Sequence, residues 1–148
     1  MSVKFEPIGF ASSRVNLAPL DKEGWLAEQP EALRAAIAKA GRWRCYEAGQ
    51  FLYHAGDPAS GLYGLAEGAL ELTFPLVAEE AVTIHRAEIG FWIGDNAEFS
   101  ETPRLVSVAA AAPSRVFHVP GAAMRQLLAE RPEHWRSLYR LGARNLET

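Results

Sequence analysis

The chain has 148 residues, of which 49% are hydrophobic, and a formal net charge of −3 at pH 7. This length allows one well-buried core, so we expect one domain, and the slightly acidic balance argues against nucleic-acid binding by this chain alone, because that needs a basic face. The single cysteine, Cys45, excludes an intramolecular disulfide and a cysteine-ligated zinc or iron–sulfur centre.

The N-terminal sequence lacks the apolar segment of a secretory signal. The longest apolar run, 106–112, is interrupted by Ser107 and followed by Pro113, so it is too short to span a bilayer. We therefore expect a cytoplasmic protein with no membrane partner.

Helical patterns come first along the chain. Residues 1–18 show no clear period, and we expect them to form an N-terminal arm ahead of a domain over 19–148. Trp25 and Leu26 predict a short helix, and the apolar positions after Pro30 predict a second helix with Gly41 as its C-terminal cap.

Between Trp43 and Val119 the hydrophobic period changes to alternation in short runs, such as Leu70, Leu72 and Phe74. Turn signals rich in glycine and proline separate these runs at intervals of about ten residues. Such spacing predicts an antiparallel β-barrel or sandwich, interrupted only by a brief helical turn after Asp95.

After Pro120 the helical period returns and predicts two helices, with Pro132 near the start of the second. The last helix carries apolar or small residues at one-face spacing: Trp135, Leu138, Tyr139, Gly142 and Leu146. A stripe of this kind predicts packing against a partner surface.

Residues 91–95 and 103–108 carry the strongest chemical signal. Gly94 beside Asp95 places backbone N–H groups next to an acidic acceptor, and Arg104 follows with a guanidinium suited to a phosphate. Together with Leu105 and Ser107, these residues form our candidate ligand-binding set. We expect their ligand to be small and anionic.

This segment resembles the phosphate-binding cassette of cyclic-nucleotide-binding domains, in which Phe-Gly-Glu precedes Pro-Arg-Ala-Ala-Thr-Val. Here the corresponding residues are 93–95 and 103–108. The upstream segment 49–70 also matches the family pattern of glycines and apolar anchors, through Gly49, Gly56, Asp57, Gly61, Leu62, Tyr63, Leu65, Gly68 and Leu70. The Gly-x-Trp-x-Gly-Asp form at 90–95 is most similar to bacterial sensor domains of Crp/Fnr transcription regulators.

The resemblance implies a mainly β fold, an antiparallel jelly roll with N-terminal helices and a C-terminal helix pair. It also implies a non-enzymatic sensor that binds cyclic AMP, cyclic GMP or another anionic effector. The resemblance further implies that the C-terminal helix relays ligand occupancy and packs against a second copy of the chain in a homodimer. We expect no DNA-binding domain within these residues, so the chain is either a sensor domain cut inside its dimerisation helix or a stand-alone module.

Two substitutions bear on the ligand. Asp95 stands where the family usually has Glu, which draws the carboxylate back by about 1.5 Å from a sugar hydroxyl. Leu105 stands where the family has Ala or Ser, beside the expected phosphate. Both changes are expected to weaken cyclic AMP binding.

Other interpretations of these residues remain open. Asp95 could instead cap the helical turn over 96–99, and Arg104 could be a surface arginine paired with Glu98 or Glu101. At the level of function, the alternative is a ligand-free module in which the cassette has degenerated and only dimerisation or partner binding remains. A third hypothesis, a cupin-like metalloenzyme suggested by four histidines, lacks the paired His-x-His pattern of that class.

Overall fold

The computed structural model describes residues 4–5, 16–75 and 81–146. In chain order the elements are β1 (Lys4–Phe5), α1 (Glu31–Ala40), β2 (Arg42–Tyr46), β3 (Phe51–Tyr53), β4 (Leu62–Glu67), β5 (Leu70–Pro75), β6 (Ala81–Ala87), β7 (Trp92–Ile93), α2 (Asp95–Ser100), β8 (Ser107–Ala110), β9 (Ser114–Val119), α3 (Gly121–Glu130) and α4 (Trp135–Leu146). Short 3-10 turns at Leu26–Glu28 and Pro132–His134 precede α1 and α4.

The described strands form two antiparallel sheets. One sheet has the order β1-β2-β9-β4-β7, and the other has the order β3-β8-β5-β6. The helices lie before β2, after β7 and after β9, where the changes of hydrophobic period predict them. The predicted fold class, an antiparallel β-jelly roll with flanking helices, is therefore confirmed.

Strand β4 shows why the first sheet occupies the middle of the molecule. Leu62 and Ala66 point into the cluster formed with the helices, whereas Tyr63 and Leu65 point into the cluster between the two sheets. Because successive side chains of a strand alternate between faces, β4 is buried on both sides. Gly64 lies against the Trp92 indole, which fills the space that a Cβ at this position would need.

Two local predictions need refinement. The short helix at Trp25 and Leu26 is a 3-10 turn over Leu26–Glu28. Gly41 does end α1, and its N–H bonds to the Ile37 carbonyl, but its backbone is extended rather than left-handed. Most of the predicted arm, 1–3 and 6–15, lies outside the described residues and stays a prediction; Lys4–Phe5 pairs with β2.

Within the described ranges, every helix is too short or too polar to cross a membrane.

His118, on β9, is a buried histidine at the end of the roll that carries the cassette. Its Nε2 lies 2.6 Å from the Ser60 carbonyl oxygen, and its ring stacks on Tyr63 with centroids 4.3 Å apart. The pKa of His118 is lowered from 6.5 to about 4. Burial is the main cause and the positive charges of Arg44 and Arg104 add to it, whereas the Ser60 hydrogen bond acts in the opposite direction. The imidazole is therefore neutral near pH 7, and its Nε2–H donates to Ser60.

We predict that His118 makes the fold sensitive to acid. Because its pKa is lower in the folded chain, protonation favours unfolding, and the stability present above pH 6.5 is lost as the pH falls through about 4. The gap between these pKa values corresponds to about 3 kcal/mol. Urea unfolding at a series of pH values should show that His118→Gln, which keeps a donor for Ser60, loses less stability than the wild type over this window.

His54→Gln is the matched control, because His54 is an exposed histidine. It should retain the wild-type acid dependence of stability. Parallel pH profiles for the wild type and His118→Gln would exclude His118 as the cause.

Candidate ligand-binding site

A cavity of about 590 Å³ lies between the β-roll and α4. This volume is in the range of small-molecule sites in proteins. The roll contributes Tyr53, Ile93, Gly94, Asp95, Ala97, Arg104, Leu105 and Val106, and the helix contributes Tyr139, Gly142, Ala143, Asn145 and Leu146.

The structure brings four of the five candidate residues to this cavity: Gly94, Asp95, Arg104 and Leu105. Ser107 is not among the lining residues. Its hydroxyl oxygen instead accepts a hydrogen bond from the Ala55 N–H at 2.8 Å, which joins the start of β8 to the loop after β3. Ser107 thus supports the wall of the site from outside.

Gly94 sets the direction in which the chain enters α2. Its φ is +114°, a conformation that residues with a side chain rarely adopt, and a Cβ at this position would collide with the Gly61 carbonyl oxygen. Gly94 holds the N-cap position of α2, with no side-chain cap, and Asp95 is the first helical residue. The hypothesis that Asp95 caps the following turn is therefore wrong.

Arg104 is a charged residue held inside the protein, with a relative exposure of 3%. Its Nη1 donates to the Gly94 carbonyl at 3.1 Å, and its Nη2 donates to the Ser60 hydroxyl at 3.0 Å and to the Gly61 carbonyl at 3.1 Å. The guanidinium also lies 4.0 Å from the centre of the Tyr53 ring. Burial raises the pKa of the Tyr53 hydroxyl, so this neighbour is neutral.

No carboxylate pairs with Arg104 among the described residues, and its Nε has no hydrogen-bond partner there. The suggested pairing of Arg104 with Glu98 is wrong, because the buried Glu98 carboxylate forms its ion pair with Arg125 of α3. Arg104 is therefore a buried cation whose side-chain hydrogen bonds all end on neutral oxygens.

Asp95 connects the cassette to α4. Its Oδ1 accepts a hydrogen bond from the Asn145 side-chain amide at 3.3 Å, and the same amide donates to the Trp92 carbonyl at 3.0 Å. A Cβ on Gly142 would lie 3.4 Å from the other carboxylate oxygen, Oδ2, so the helix approaches closely at this glycine. The carboxylate that could accept a sugar hydroxyl is thus already bonded to the helix.

The mouth of the cavity is apolar and exposed. Leu105 is 58% exposed, and the neighbouring lining residues Tyr139 and Leu146 of α4 are 78% and 89% exposed. Leu105 therefore lies at the entrance. An apolar entrance above a polar base fits a ligand with both an apolar and an anionic part.

The α4 residues of this cavity are the part of the site that our sequence analysis missed. We interpreted Tyr139, Gly142 and Leu146 as a seam for a partner, yet all three also line the cavity. The available signal was Gly142, since a glycine in a helix interior destabilises the helix and often marks a close approach. Among the described residues, no three His, Cys, Asp or Glu side chains lie together as a metal site would require.

Comparison with known proteins places this geometry in a family. Residues 43–131 match the family model described as the cyclic nucleotide-binding domain. The chain has no match among curated protein sequences.

Solved structures show the same fold. A putative cAMP-binding regulatory protein from Silicibacter pomeroyi is 22% identical, with a TM-score of 0.75 over 88% of this chain and 60% of its own. The Thermus thermophilus catabolite activator protein is 22% identical, with a TM-score of 0.72 over 88% of this chain and 59% of its own. The regulatory subunit of a cAMP-independent protein kinase A from Trypanosoma brucei is 13% identical, with a TM-score of 0.73 over 87% of this chain and 45% of its own.

The chain therefore spans about 60% of the length of the two bacterial proteins and less than half of the trypanosome subunit. Likeness at these identities shows the fold. The family model goes further, because it covers more than half of the 148 residues and includes the whole cassette. The chain belongs to the cyclic nucleotide-binding domain family.

Proposed function

We propose that this chain is a sensor domain of a Crp/Fnr-like regulator, which binds a cyclic nucleotide or another small anionic effector and relays its occupancy through α4. The observation that carries this proposal is Arg104. This buried guanidinium donates its hydrogen bonds to neutral oxygens and lines a cavity large enough for a small molecule. The activity is binding without catalysis.

The physical reason is the cost of burying charge. A buried cation is normally paired with an anion, because its lost hydration must be replaced. Carbonyl and hydroxyl oxygens supply Arg104 with dipoles but no countercharge. A phosphate in the cavity would supply that countercharge, and charge-assisted hydrogen bonds of this kind are about twice as strong as neutral ones.

Asp95 supplies the second half of the proposed recognition. A carboxylate at the start of α2 is an acceptor for a sugar hydroxyl, and it lines the same cavity as Arg104. An effector hydroxyl that bonds to Asp95 competes with the Asn145 amide. Binding would then weaken a contact between the cassette and α4, which is the differential interaction that a ligand needs to shift a conformational equilibrium.

The choice of effector depends on the entrance as well as on Arg104. Leu105 adds apolar surface at the mouth, and Asp95 is shorter than the family's usual Glu, so we propose weak cyclic AMP binding or an effector with a larger apolar part. The fold alone does not select cyclic AMP, because one structure with this fold is described as cAMP-binding and another as cAMP-independent.

A second candidate function is a ligand-free module that acts in dimerisation or partner binding. The observation that favours it is that protein groups already contact both proposed ligand groups. Arg104 has three acceptors within the protein, and Asp95 is bonded to Asn145. Binding measurements separate the two functions.

The test of the effector site is Arg104→Lys, which keeps the positive charge and removes the planar fork. Mass spectrometry of material released from the denatured wild type should identify the effector, and calorimetric titration should include cyclic AMP and cyclic GMP. We expect Arg104→Lys to bind at least about tenfold more weakly, because a lysine cannot make the bidentate contact.

Arg86→Lys is the matched control, since Arg86 lies on β6 and does not line the cavity. Thermal unfolding of both variants separates loss of binding from loss of folding. Equal affinity in Arg104→Lys would reject the site. No released ligand and no titratable binding in the wild type would favour the ligand-free module.

The test of the relay is Asn145→Ala. Effector binding to the wild type should change hydrogen exchange along 135–146, and this change should shrink in the variant because the contact with Asp95 is gone. The effector should bind about threefold more tightly to Asn145→Ala, because one competing hydrogen bond has been removed.

Arg144→Ala is the control for this experiment, because Arg144 is the neighbouring residue and pairs with Glu28 away from the cassette. It should keep the wild-type exchange response. An undiminished response in Asn145→Ala would show that occupancy reaches α4 by another contact.

We also propose that a second copy of the chain packs on α4. Apolar surface on this helix comes from Trp135, Tyr139 and Leu146, which are 47%, 78% and 89% exposed. Light scattering over a range of protein concentrations should show a dimer that Tyr139→Asp weakens at least about tenfold, because the variant places a charge in the seam. Ala122→Asp, at an exposed position of α3, should leave the dimer intact; a monomeric wild type would contradict the proposal.

A further inference from the structure

A second cavity of about 660 Å³ lies where α1 begins, beside the 3-10 turn Pro132–His134 and the first turns of α4. It shares no lining residue with the cavity at the cassette. The second cavity is therefore a separate site from the one proposed for the effector.

Three arginines give this second cavity its charge. Arg131, Arg136 and Arg140 line it, whereas the chain as a whole carries a net charge of −3. The acidic residue in its lining is Glu133, which lies 4.0 Å from Arg131 in a largely exposed pair. Arg136 and Arg140 are exposed and form no ion pair with the described residues, so two positive charges lie side by side on successive turns of α4.

His134 forms the buried side of this cavity. This residue is 4% exposed and lines the cavity, and its Nε2 has no hydrogen-bond partner. Buried polar groups in folded proteins nearly always find a partner. This nitrogen is enclosed by protein atoms, so a ligand in the cavity would reach it only after a small rotation of the ring. An imidazole N–H can donate to an oxyanion.

We infer that this second cavity binds a small oxyanion of the phosphate class. A guanidinium group donates paired N–H hydrogen bonds to two oxygens of a phosphate. Three guanidinium groups around one cavity offer more donors than the single carboxylate of Glu133 can accept. His134 would supply one further donor from the buried side. The Ser137 hydroxyl, which also lies in the lining, adds a neutral hydrogen-bonding group.

The site would connect α1 to α4. Pro30 and Ala32, at the start of α1, line the same cavity as Arg136 and Arg140 of α4. The backbone N–H groups of the first turn of a helix are available to an anion. An oxyanion there would touch both helices at once, so the first turns of α4 would be held against α1.

The experiment uses the intact chain with its imidazole rings labelled with carbon-13. The His134 ring resonance, identified by its loss in His134→Phe, is monitored during titration with inorganic phosphate, phenyl phosphate and acetate. We expect a saturable shift of this resonance with phosphate, at a dissociation constant below about 10 mM. This reporter is specific to the second cavity, so binding at Arg104 does not contribute to it.

The test variant combines Arg136→Gln with Arg140→Gln. The matched control combines Arg42→Gln with Arg86→Gln, which also removes two positive charges, but from exposed positions outside the cavity. We expect at least tenfold weaker phosphate binding in the test variant and unchanged binding in the control. Tighter binding of phenyl phosphate than of inorganic phosphate would assign the site to a phosphate monoester, and equal binding would assign it to free phosphate.

Three results would overturn the inference. One is the absence of a saturable His134 shift up to that concentration. Another is an equal loss of phosphate affinity in the two double variants, which would show that the net charge of the chain, and not the cavity, determines binding. The third is acetate binding as tight as phosphate, because the site would then select carboxylates.

Discussion

The contacts of Arg104 hold the candidate site together. Its side chain joins the Gly94 carbonyl to Ser60 and Gly61, so the turn into α2 is fixed against the turn into β4. Its backbone also takes part, because its N–H donates to the Asp57 carbonyl and its carbonyl accepts from the Gly56 N–H. One residue thus joins Gly94 to Gly61, which are 33 positions apart in sequence, and the acceptors of its side chain are neutral oxygens.

The cavity at the cassette is completed by α4, so under the proposed function occupancy and helix position would depend on each other. Asp95 bonds to Asn145, while Tyr139 and Leu146 border the cavity and are also the most exposed apolar residues of the helix. A ligand that displaces the helix therefore changes the surface offered to a partner, and a partner that fixes the helix changes the affinity for ligand. The two effects must be equal in free energy, because linkage is reciprocal.

Sequence analysis succeeded where the controlling interactions are local. Alternation in β4 and β5, glycine in the turns and the spacing from Gly94 to Arg104 each follow from backbone geometry within a few residues. It failed where distant elements meet. The contact of Ser107 with Ala55, the pairing of Glu98 with Arg125 and the approach of Gly142 to Asp95 depend on how the sheet and the helices pack, which no local pattern encodes.

The six-residue helix α2 carries two carboxylates with different neighbours. Asp95 bonds to Asn145 on α4 at the edge of the cavity, whereas Glu98 is buried, pairs with Arg125 and lies against Gly121 at the start of α3. A ligand in the cavity can compete for Asp95, whereas neither Glu98 nor Arg125 lines the cavity. Removing Arg125 would leave the buried Glu98 carboxylate without its countercharge. The ion pair to α3 therefore holds one end of α2 in place, and the proposed relay would act through the contact of Asp95 with α4.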